Sequence, residues 1–278
     1  MRRRHRYYHR QRQPPVVPDR RPAARGTDTP LYPALHAILR EVRDLRVALG
    51  LLLLAGLAIC VLASWAFAAL ADAVTEGDTL WFDVAALRWV AAHRPPWVVP
   101  AAVEITTLGT WGVVLLASGI AALFLALTRH RYSAGLVLAA TAGVMLINSL
   151  LKLGFDRPRP RVFAWSVDVL TSSFPSGHAA AAAAAYGTIA YVAARLQRHH
   201  WARRLTLLTA VLLVLAIAAS RVLLGVHYPS DVLGGLLVGT AWAAFCAAGI
   251  EAVQRVIRRE RPGEVADEMP APEVESPR

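Results

Sequence analysis

The sequence has little cysteine, and the little it has lies in apolar surroundings. Only two cysteines occur among 278 residues, Cys60 and Cys246, and each has small and aliphatic neighbours. Two isolated thiols provide neither a disulfide framework nor the paired spacing of a structural zinc site. We therefore expect both to be packing residues, and we expect no metal ligation by them.

The long apolar stretches of the chain contain few charged residues. Hydrophobic residues make up 56% of the sequence, the mean hydropathy is +0.42, and the apolar residues occur in long Leu, Ala and Val blocks. A helix needs about 20 such residues to cross about 30 Å of hydrocarbon. The composition therefore predicts a polytopic membrane protein, and no compositional boundary marks a second fold.

Six apolar blocks have about the length of a span. They cover approximately residues 47–71, 101–127, 133–151, 178–196, 205–220 and 232–254. The sequence thus predicts an all-α bundle of six transmembrane helices in one domain, residues 47–255. Between the first two blocks, residues 78–97 are aromatic and amphipathic but too charged to span. They predict an interfacial helix anchored by Trp81, Trp89 and Trp97.

The two ends of the chain differ from this domain. Residues 1–30 are rich in Arg, His, Gln and Pro, and residues 256–278 are acidic and rich in Pro. Such segments bury too little apolar surface to fold, so we expect both to be disordered. Residues 31–46 place apolar and charged residues at helical spacing, which favours an amphipathic helix at the membrane surface. Residues 1–46 are therefore interpreted as one basic, largely disordered tail.

The net charge is +11, and the positive residues are concentrated in particular segments of the chain. Arginines fill the N-terminal tail and follow the second, fourth and sixth blocks, without the aromatic interleaving of a nucleic-acid-binding face. Because Lys and Arg in short loops resist translocation, these loops define the cytoplasmic side. We expect a multi-pass protein of the cell (inner) membrane with both termini cytoplasmic and no nucleic-acid partner. The loops after blocks one, three and five then lie outside.

The loop after block three carries a positive cluster on the side where positive charge is disfavoured. It reads KLGFDRPRPR and contains Lys152, Arg157, Arg159 and Arg161, which Asp156 offsets little. Its two prolines stop the helix and turn the backbone. Guanidinium forks and ammonium groups bind phosphate, so an anionic ligand is the simplest partner. Contact with lipid headgroups is the alternative for this loop alone.

A second pattern, FPSGH, stands directly before the Ala-rich block four. Ser176 occupies the N-cap position of the predicted helix, and Gly177 allows another group to approach the backbone. The free N–H groups of a first helical turn and the helix dipole favour an anion. His178 belongs to the same turn and can reach whatever those groups hold. Taken alone, the pattern also fits a capped helix with an interfacial histidine.

A third pattern, SRVLLGVHYPSD, ends block five and leads into block six. It contains Ser220, Arg221, His227 and Asp231. A carboxylate that accepts the N–H of one imidazole nitrogen fixes the tautomer and leaves the other nitrogen free to attack. The alternative is that Asp231 merely complements the dipole in the first turn of the last helix.

Together the three patterns resemble the signature of the type 2 phosphatidic acid phosphatase superfamily, which is related to the vanadium haloperoxidases. That signature consists of K-x6-R-P, P-S-G-H and S-R-x5-H-x3-D, and all three parts occur here in order. The resemblance covers roughly residues 75–250. The matching residues are Lys152, Arg159, Pro160, Pro175, Ser176, Gly177, His178, Ser220, Arg221, His227 and Asp231.

The resemblance implies a lipid phosphate or diphosphate phosphatase that acts through a phosphohistidine on His227. Asp231 would orient that histidine, and His178 would protonate the leaving group and then activate water. Neither a metal nor another cofactor is implied. The phosphoryl oxygens would be held by cationic side chains and by the backbone N–H groups of the second pattern, namely by Lys152, Arg159, Arg221, Ser176 and Gly177.

Other functions share these residues. A lipid phosphotransferase could use the same phosphoenzyme, and a non-enzymatic membrane protein could use the cationic loops to bind anionic lipid. Haloperoxidases are soluble, which six bilayer-length blocks argue against. Phosphatidic acid, phosphatidylglycerol phosphate and polyprenyl diphosphates all present a similar terminal phosphate, so the sequence leaves the substrate open among them.

Overall fold

The computed structural model of the chain describes residues 31–165 and 171–260. This part of the chain forms eight helices and no strand, which confirms the predicted all-α class. The helices are α1 (Leu31–Glu76), α2 (Leu80–His93), α3 (Val98–Thr107), α4 (Trp111–Leu127), α5 (Arg131–Gly154), α6 (Gly177–Leu196), α7 (His200–Leu223) and α8 (Pro229–Glu260). The predicted disorder of residues 1–30 and 261–278 lies outside the described residues.

Helix α1 includes residues 31–46, the segment that was predicted as an amphipathic helix. Its apolar part is Leu53–Glu76, which is about 36 Å long at 1.5 Å per residue. Near the end of α1, the Phe67 ring stacks on Phe174 with centroids 5.7 Å apart. This contact joins α1 to the loop before α6.

Helix α2 is the predicted helix between the first two spans, and its two faces differ. Trp81 and Trp89 are 76% and 64% exposed, whereas Asp83 and Leu87 on the other face are fully buried. Trp97, 70% exposed, follows α2 and directly precedes α3. The exposed indoles fit the predicted interfacial anchoring, but the buried Asp83 was not expected.

The predicted block 101–127 is not one helix but two. Helices α3 and α4 meet at an angle of 49°. The sequence at the break is TTLGT, and the hydroxyls of Thr107 and Thr110 donate to the carbonyls of Glu104 and Thr107 at 2.6 and 2.7 Å. Hydroxyl groups that bond nearby carbonyls compete with the helical ladder, which explains the bend here.

The Ala-rich helix α6 forms the centre of the bundle. Its residues 179–185 are all buried, and α8 packs so closely that a Cβ on Gly235 would clash with the carbonyl oxygen of Ser176. Small residues let helices approach in this way. The Ser176 N–H donates to the carbonyl oxygen of Asp231 at 2.9 Å, so α6 and α8 begin at the same end of the bundle.

Within the described residues, five helices are long and apolar enough to cross a membrane, and six if the bent α3–α4 pair forms one span. The predicted blocks correspond to these helices. The fifth block, predicted over 205–220, lies within the longer α7, and α8 extends five residues into the tail that was predicted from residue 256.

Candidate active site

The three sequence patterns meet at the end of the bundle where α6 and α8 begin. Lys152 lies in the last turn of α5 and Arg221 in the last turn of α7, while His178 and Asp231 lie in the first turns of α6 and α8. Helices α6 and α8 therefore both direct the positive ends of their dipoles toward the same small region.

His227 lies in the loop between α7 and α8 and is only 2% exposed. Its Nε2 is 3.2 Å from Nη1 of Arg159, and its Nδ1 is 3.5 Å from Oδ2 of Asp231. Nδ1 makes no hydrogen bond within the described part of the chain. The Asp231 contact is thus of the predicted kind but longer than a hydrogen bond, as is common before a substrate tightens a site.

The environment of His227 keeps its imidazole neutral. Burial is the main cause that lowers its pKa to about 4, and the nearby cations Arg159 and Arg221 lower it further, against the attraction of Asp231. A neutral imidazole retains a lone pair on one nitrogen, which a nucleophile requires.

The Asp231 carboxylate is fully buried and is held from several sides. Its Oδ2 accepts the hydroxyl of Ser173 at 2.5 Å and the backbone N–H of Tyr228 at 2.8 Å. Its Oδ1 accepts Nη1 of Arg157 at 2.6 Å. These bonds favour the ionised form and fix the carboxylate beside His227.

Three cations of the site are bound by neutral groups. Lys152 Nζ donates to the carbonyl oxygen of Ser172 at 2.5 Å, and Arg159 Nη1 donates to the carbonyl oxygen of Val226 at 2.7 Å. Arg221 Nη1 donates to the hydroxyl of Thr106 at 2.8 Å. Burial lowers the pKa of Arg159. Among the described residues none of the three forms an ion pair with a carboxylate, so their charge attracts an anion.

Ser176 corrects one expectation from the sequence. Its backbone N–H was predicted to hold phosphate oxygens, but it already donates to Asp231. Its side chain makes no capping bond, and the buried hydroxyl lacks a partner within the described residues. The hydroxyl is therefore the group of Ser176 that an anion can use. Gly177 is packed tightly, since a Cβ there would lie 3.1 Å from Nδ2 of Asn148.

His178 faces the same cluster across the break between α3 and α4. A Cβ on Gly109 would lie 2.5 Å from Cγ2 of Ile217 and 3.1 Å from Cδ2 of His178, so glycine at this position lets the bent chain pass both side chains. His178 interacts electrostatically with four groups of the site, Arg221, His227, Arg159 and Lys152. All eight residues predicted for the site are thus brought to one end of the bundle.

Three residues that hold this cluster together were not predicted for the site, namely Asp83, Thr106 and Ser173. Arg157 was expected only as one of the cations of its loop, with an anionic ligand as the simplest partner, whereas here it binds carboxylates. The only hint was an acid within an otherwise apolar face of the predicted interfacial helix. Among the described residues, no group of three or more His, Cys, Asp or Glu side chains converges as a metal site requires.

Comparison with known proteins gives a consistent result. The sequence profile of the PAP2 superfamily matches residues 133–255. Phosphatidylglycerophosphatase B of Bacillus subtilis (strain 168) is 32% identical over 177 residues, which are 62% of this chain and 85% of the relative. A crystal structure of a transmembrane PAP2 type phosphatidylglycerolphosphate phosphatase from Bacillus subtilis is 28% identical. It covers 73% of this chain and 98% of its own, with a TM-score of 0.64.

The helical bundle and the three converging patterns define a multi-pass membrane phosphatase. The chain belongs to the PAP2 superfamily. The resemblance inferred from its three motifs is confirmed, and so is the polytopic all-α fold.

Proposed function

We propose that the protein removes the terminal phosphate of a membrane lipid through a phosphohistidine on His227. One observation carries this proposal. A buried neutral imidazole has a carboxylate beside one nitrogen, while Arg159, a cation that no carboxylate neutralises, lies 3.2 Å from the other nitrogen. An imidazole so placed attacks an anion that the cations bind.

Substrate binding uses the positive end of the site. Lys152, Arg159 and Arg221 contact the phosphoryl oxygens, and these contacts neutralise the charge that spreads over the oxygens in the transition state. The Ser176 hydroxyl and the N–H of Gly177 add hydrogen bonds at the start of α6, where the helix dipole also favours an anion. Side-chain cations thus supply the electrostatic stabilisation.

The first chemical step transfers the phosphoryl group to the enzyme. Nε2 of His227 attacks phosphorus, the bond between phosphorus and the lipid oxygen breaks, and protonated His178 gives its proton to that oxygen. Asp231 accepts the Nδ1–H of His227 and stabilises the positive charge on the ring. The products are the dephosphorylated lipid and a phosphohistidine.

The second step releases phosphate. Neutral His178 takes a proton from a water molecule, the water oxygen attacks phosphorus, and the phosphorus–nitrogen bond breaks. Inorganic phosphate leaves, while His227 regains its lone pair and His178 its proton. Both histidines are therefore needed in each turnover.

We infer a lipid substrate from the place of the site in the bundle. It lies at the ends of helices that are about as long as the bilayer is thick, so a phosphate can enter from the interface while the chain stays in hydrocarbon. Phosphatidylglycerol phosphate is the first candidate because both named relatives act on it by their names. Phosphatidic acid and a polyprenyl diphosphate are the others.

The site is proposed to face the extracytoplasmic side of the cell membrane, with both termini cytoplasmic. The basis is the distribution of arginine. At the end opposite the site, Arg129 and Arg198 lie in the loops after α4 and α6, Arg131 begins α5 and Arg195 lies in the last turn of α6. Such a concentration of arginine is what the positive-inside rule requires of the cytoplasmic side.

Phosphate release in detergent tests this function. Purified wild type and His227→Ala are compared, with a metal chelator present, on phosphatidylglycerol phosphate, phosphatidic acid and a long polyprenyl diphosphate. We expect wild type alone to release inorganic phosphate. Equal release by both proteins would disprove the role of His227. Transfer of phosphate to an added alcohol without release to water would identify a phosphotransferase.

A further inference from the structure

Arg157 belongs to none of the three signature motifs, yet it lies between two fully buried carboxylates. Its Nη1 is 2.6 Å from Oδ1 of Asp231, and its Nη2 is 2.8 Å from Oδ2 of Asp83. Both carboxylates are 0% exposed, and the Arg157 side chain is 11% exposed. A guanidinium fork is the side chain whose geometry suits two acceptors at once.

The hydrogen-bond donors of Arg157 are almost all in use. Besides the two carboxylates, Nη1 donates to the Ser230 hydroxyl at 2.7 Å and Nη2 to the Thr79 hydroxyl at 3.2 Å. One face of the guanidinium is covered by the Tyr228 ring, whose centroid is 4.4 Å away. Since four of its five N–H donors are engaged, Arg157 has little left with which to hold a phosphate.

Asp83 connects this arginine to the backbone of α8. Its Oδ1 accepts the N–H of Ser230 at 3.0 Å, and its Oδ2 accepts the Ser230 hydroxyl at 2.5 Å. The Ser230 hydroxyl thus donates to Asp83 while it accepts from Arg157. Helix α2, the loop after α5 and the first turn of α8 are joined by one buried network beside Asp231.

We propose that Arg157 and Asp83 are positioning residues that hold the Asp231 carboxylate in place against His227. The inference rests on the proposed function. Arg157 holds Oδ1 of Asp231, so that Oδ2 stays directed at Nδ1 of His227. Asp83 in turn holds the Nη2 group of Arg157. Neither residue contacts the phosphate.

Loss of Arg157 leaves Asp83 and Asp231 buried without their shared cation. The repulsion between the two carboxylates is relieved when one of them takes up a proton or turns toward another hydrogen-bond donor. In either case Asp231 no longer supports the imidazolium charge that forms when His227 attacks. The step that suffers is therefore the chemical step, whereas the cations that bind phosphate remain.

The test compares four variants of the full-length protein in detergent, Arg157→Gln, Arg157→Lys, Asp83→Asn and Arg161→Gln. Arg161 is the matched control, because it lies in the same loop, carries the same charge and is exposed. The measured quantities are kcat and KM on the best lipid of the panel, inhibition by inorganic phosphate, and monodisperse elution from a sizing column.

We expect Arg157→Gln to lower kcat about 100-fold, as misplacement of a catalytic group by about 1 Å does. We expect Asp83→Asn, which keeps the shape of the side chain, to lower kcat about 10-fold, and Arg157→Lys to fall between them. KM and the phosphate inhibition constant should stay within about threefold of wild type. Arg161→Gln should change none of these quantities.

Three results would overturn the inference. If KM and the phosphate inhibition constant rise while kcat holds, Arg157 binds the anion. If Asp83→Asn is monodisperse and fully active while both Arg157 variants aggregate, the network serves folding alone. If wild type hydrolyses the lipid and Arg157→Gln keeps its kcat, the inference fails and the phosphatase function stands. Failure of wild type on every lipid would remove both.

Discussion

Helices α6 and α8 bury charge at two places along their length, and the two clusters are built differently. At the end where the helices begin, Asp231 and its neighbours surround His227. Roughly 25–30 Å along the helices, Arg195 pairs with Glu251 at 2.5 Å, and the Tyr191 hydroxyl donates to the same carboxylate at 2.9 Å. We call the first the His227 cluster and the second the Glu251 cluster.

The Glu251 cluster and the His227 cluster differ in their balance of charge. Among the described residues, the Glu251 cluster holds one cation and one carboxylate, whose charges balance. The His227 cluster contains two carboxylates and more cations than these can neutralise, since Lys152, Arg159 and Arg221 have neutral partners. Uncompensated buried charge costs stability and is kept where it binds an anion. We infer that the Glu251 cluster joins helices and the His227 cluster performs chemistry.

The largest expected effect concerns the nucleophile itself. His227→Gln removes the attacking nitrogen, so kcat should fall by at least about 10⁴-fold. The change should leave the elution profile in detergent unaltered. Residual turnover above one percent of wild type would show that the His227 cluster does not supply the nucleophile.

A smaller loss is expected for the general acid. His178→Asn should lower kcat on a lipid phosphate about 10³-fold, within the range for general acid catalysis. With an aryl phosphate, whose leaving group needs no proton, the first step should lose far less. Rapid-quench kinetics on both substrates measure this difference, and equal losses would argue against His178 as the proton donor.

The Glu251 cluster should affect stability and not turnover. Arg195→Met leaves a carboxylate buried without its cation, which costs about 3 kcal/mol or more. Thermal unfolding in detergent should show this loss, while the kcat of the folded variant stays within about threefold of wild type. Arg198→Met is the control, because Arg198 is exposed and lies only three residues further along the chain, just after the end of α6. A large loss of kcat without loss of stability would contradict the contrast between the clusters.

The smallest effect is a pH dependence that only the His227 cluster should show. The folded pKa of His227 is lowered to about 4, below the ordinary value of about 6.5. Between these values the unfolded chain binds a proton that the folded protein does not, so stability falls as the pH drops through this window. From pH 7 to pH 5 the loss attributable to His227 is about 2 kcal/mol. His227→Gln should lose that much less over the same range, and an unchanged slope would contradict the buried neutral state.

The sequence was sufficient to predict the helices that are uniformly apolar. Long Leu, Ala and Val blocks indicate spans because the bilayer sets their length. It was not sufficient at the break between α3 and α4, where the chain stays apolar. The bend coincides with threonine hydroxyls that bond nearby carbonyls and with the close packing of Gly109 against Ile217 and His178, and such contacts leave no trace in hydropathy.

The candidate site shows the same limit. The motif residues could be named in advance because their spacing is characteristic. Asp83 could not, since it lies on a helix that was interpreted as interfacial, and Arg157 could not be separated from Arg161 in the same loop. What distinguishes them is burial between two carboxylates, which depends on how α2 and α8 pack.

One measurement tests the central claim most directly. Wild type and His227→Gln are mixed with lipid substrate that carries a radioactive terminal phosphate, quenched in alkali within milliseconds, digested and mapped. The account predicts an alkali-stable, acid-labile phosphate on the peptide that contains His227, formed and lost at rates compatible with turnover, and no label in the variant. Turnover by wild type with no labelled peptide, or with the label on another residue, would contradict it.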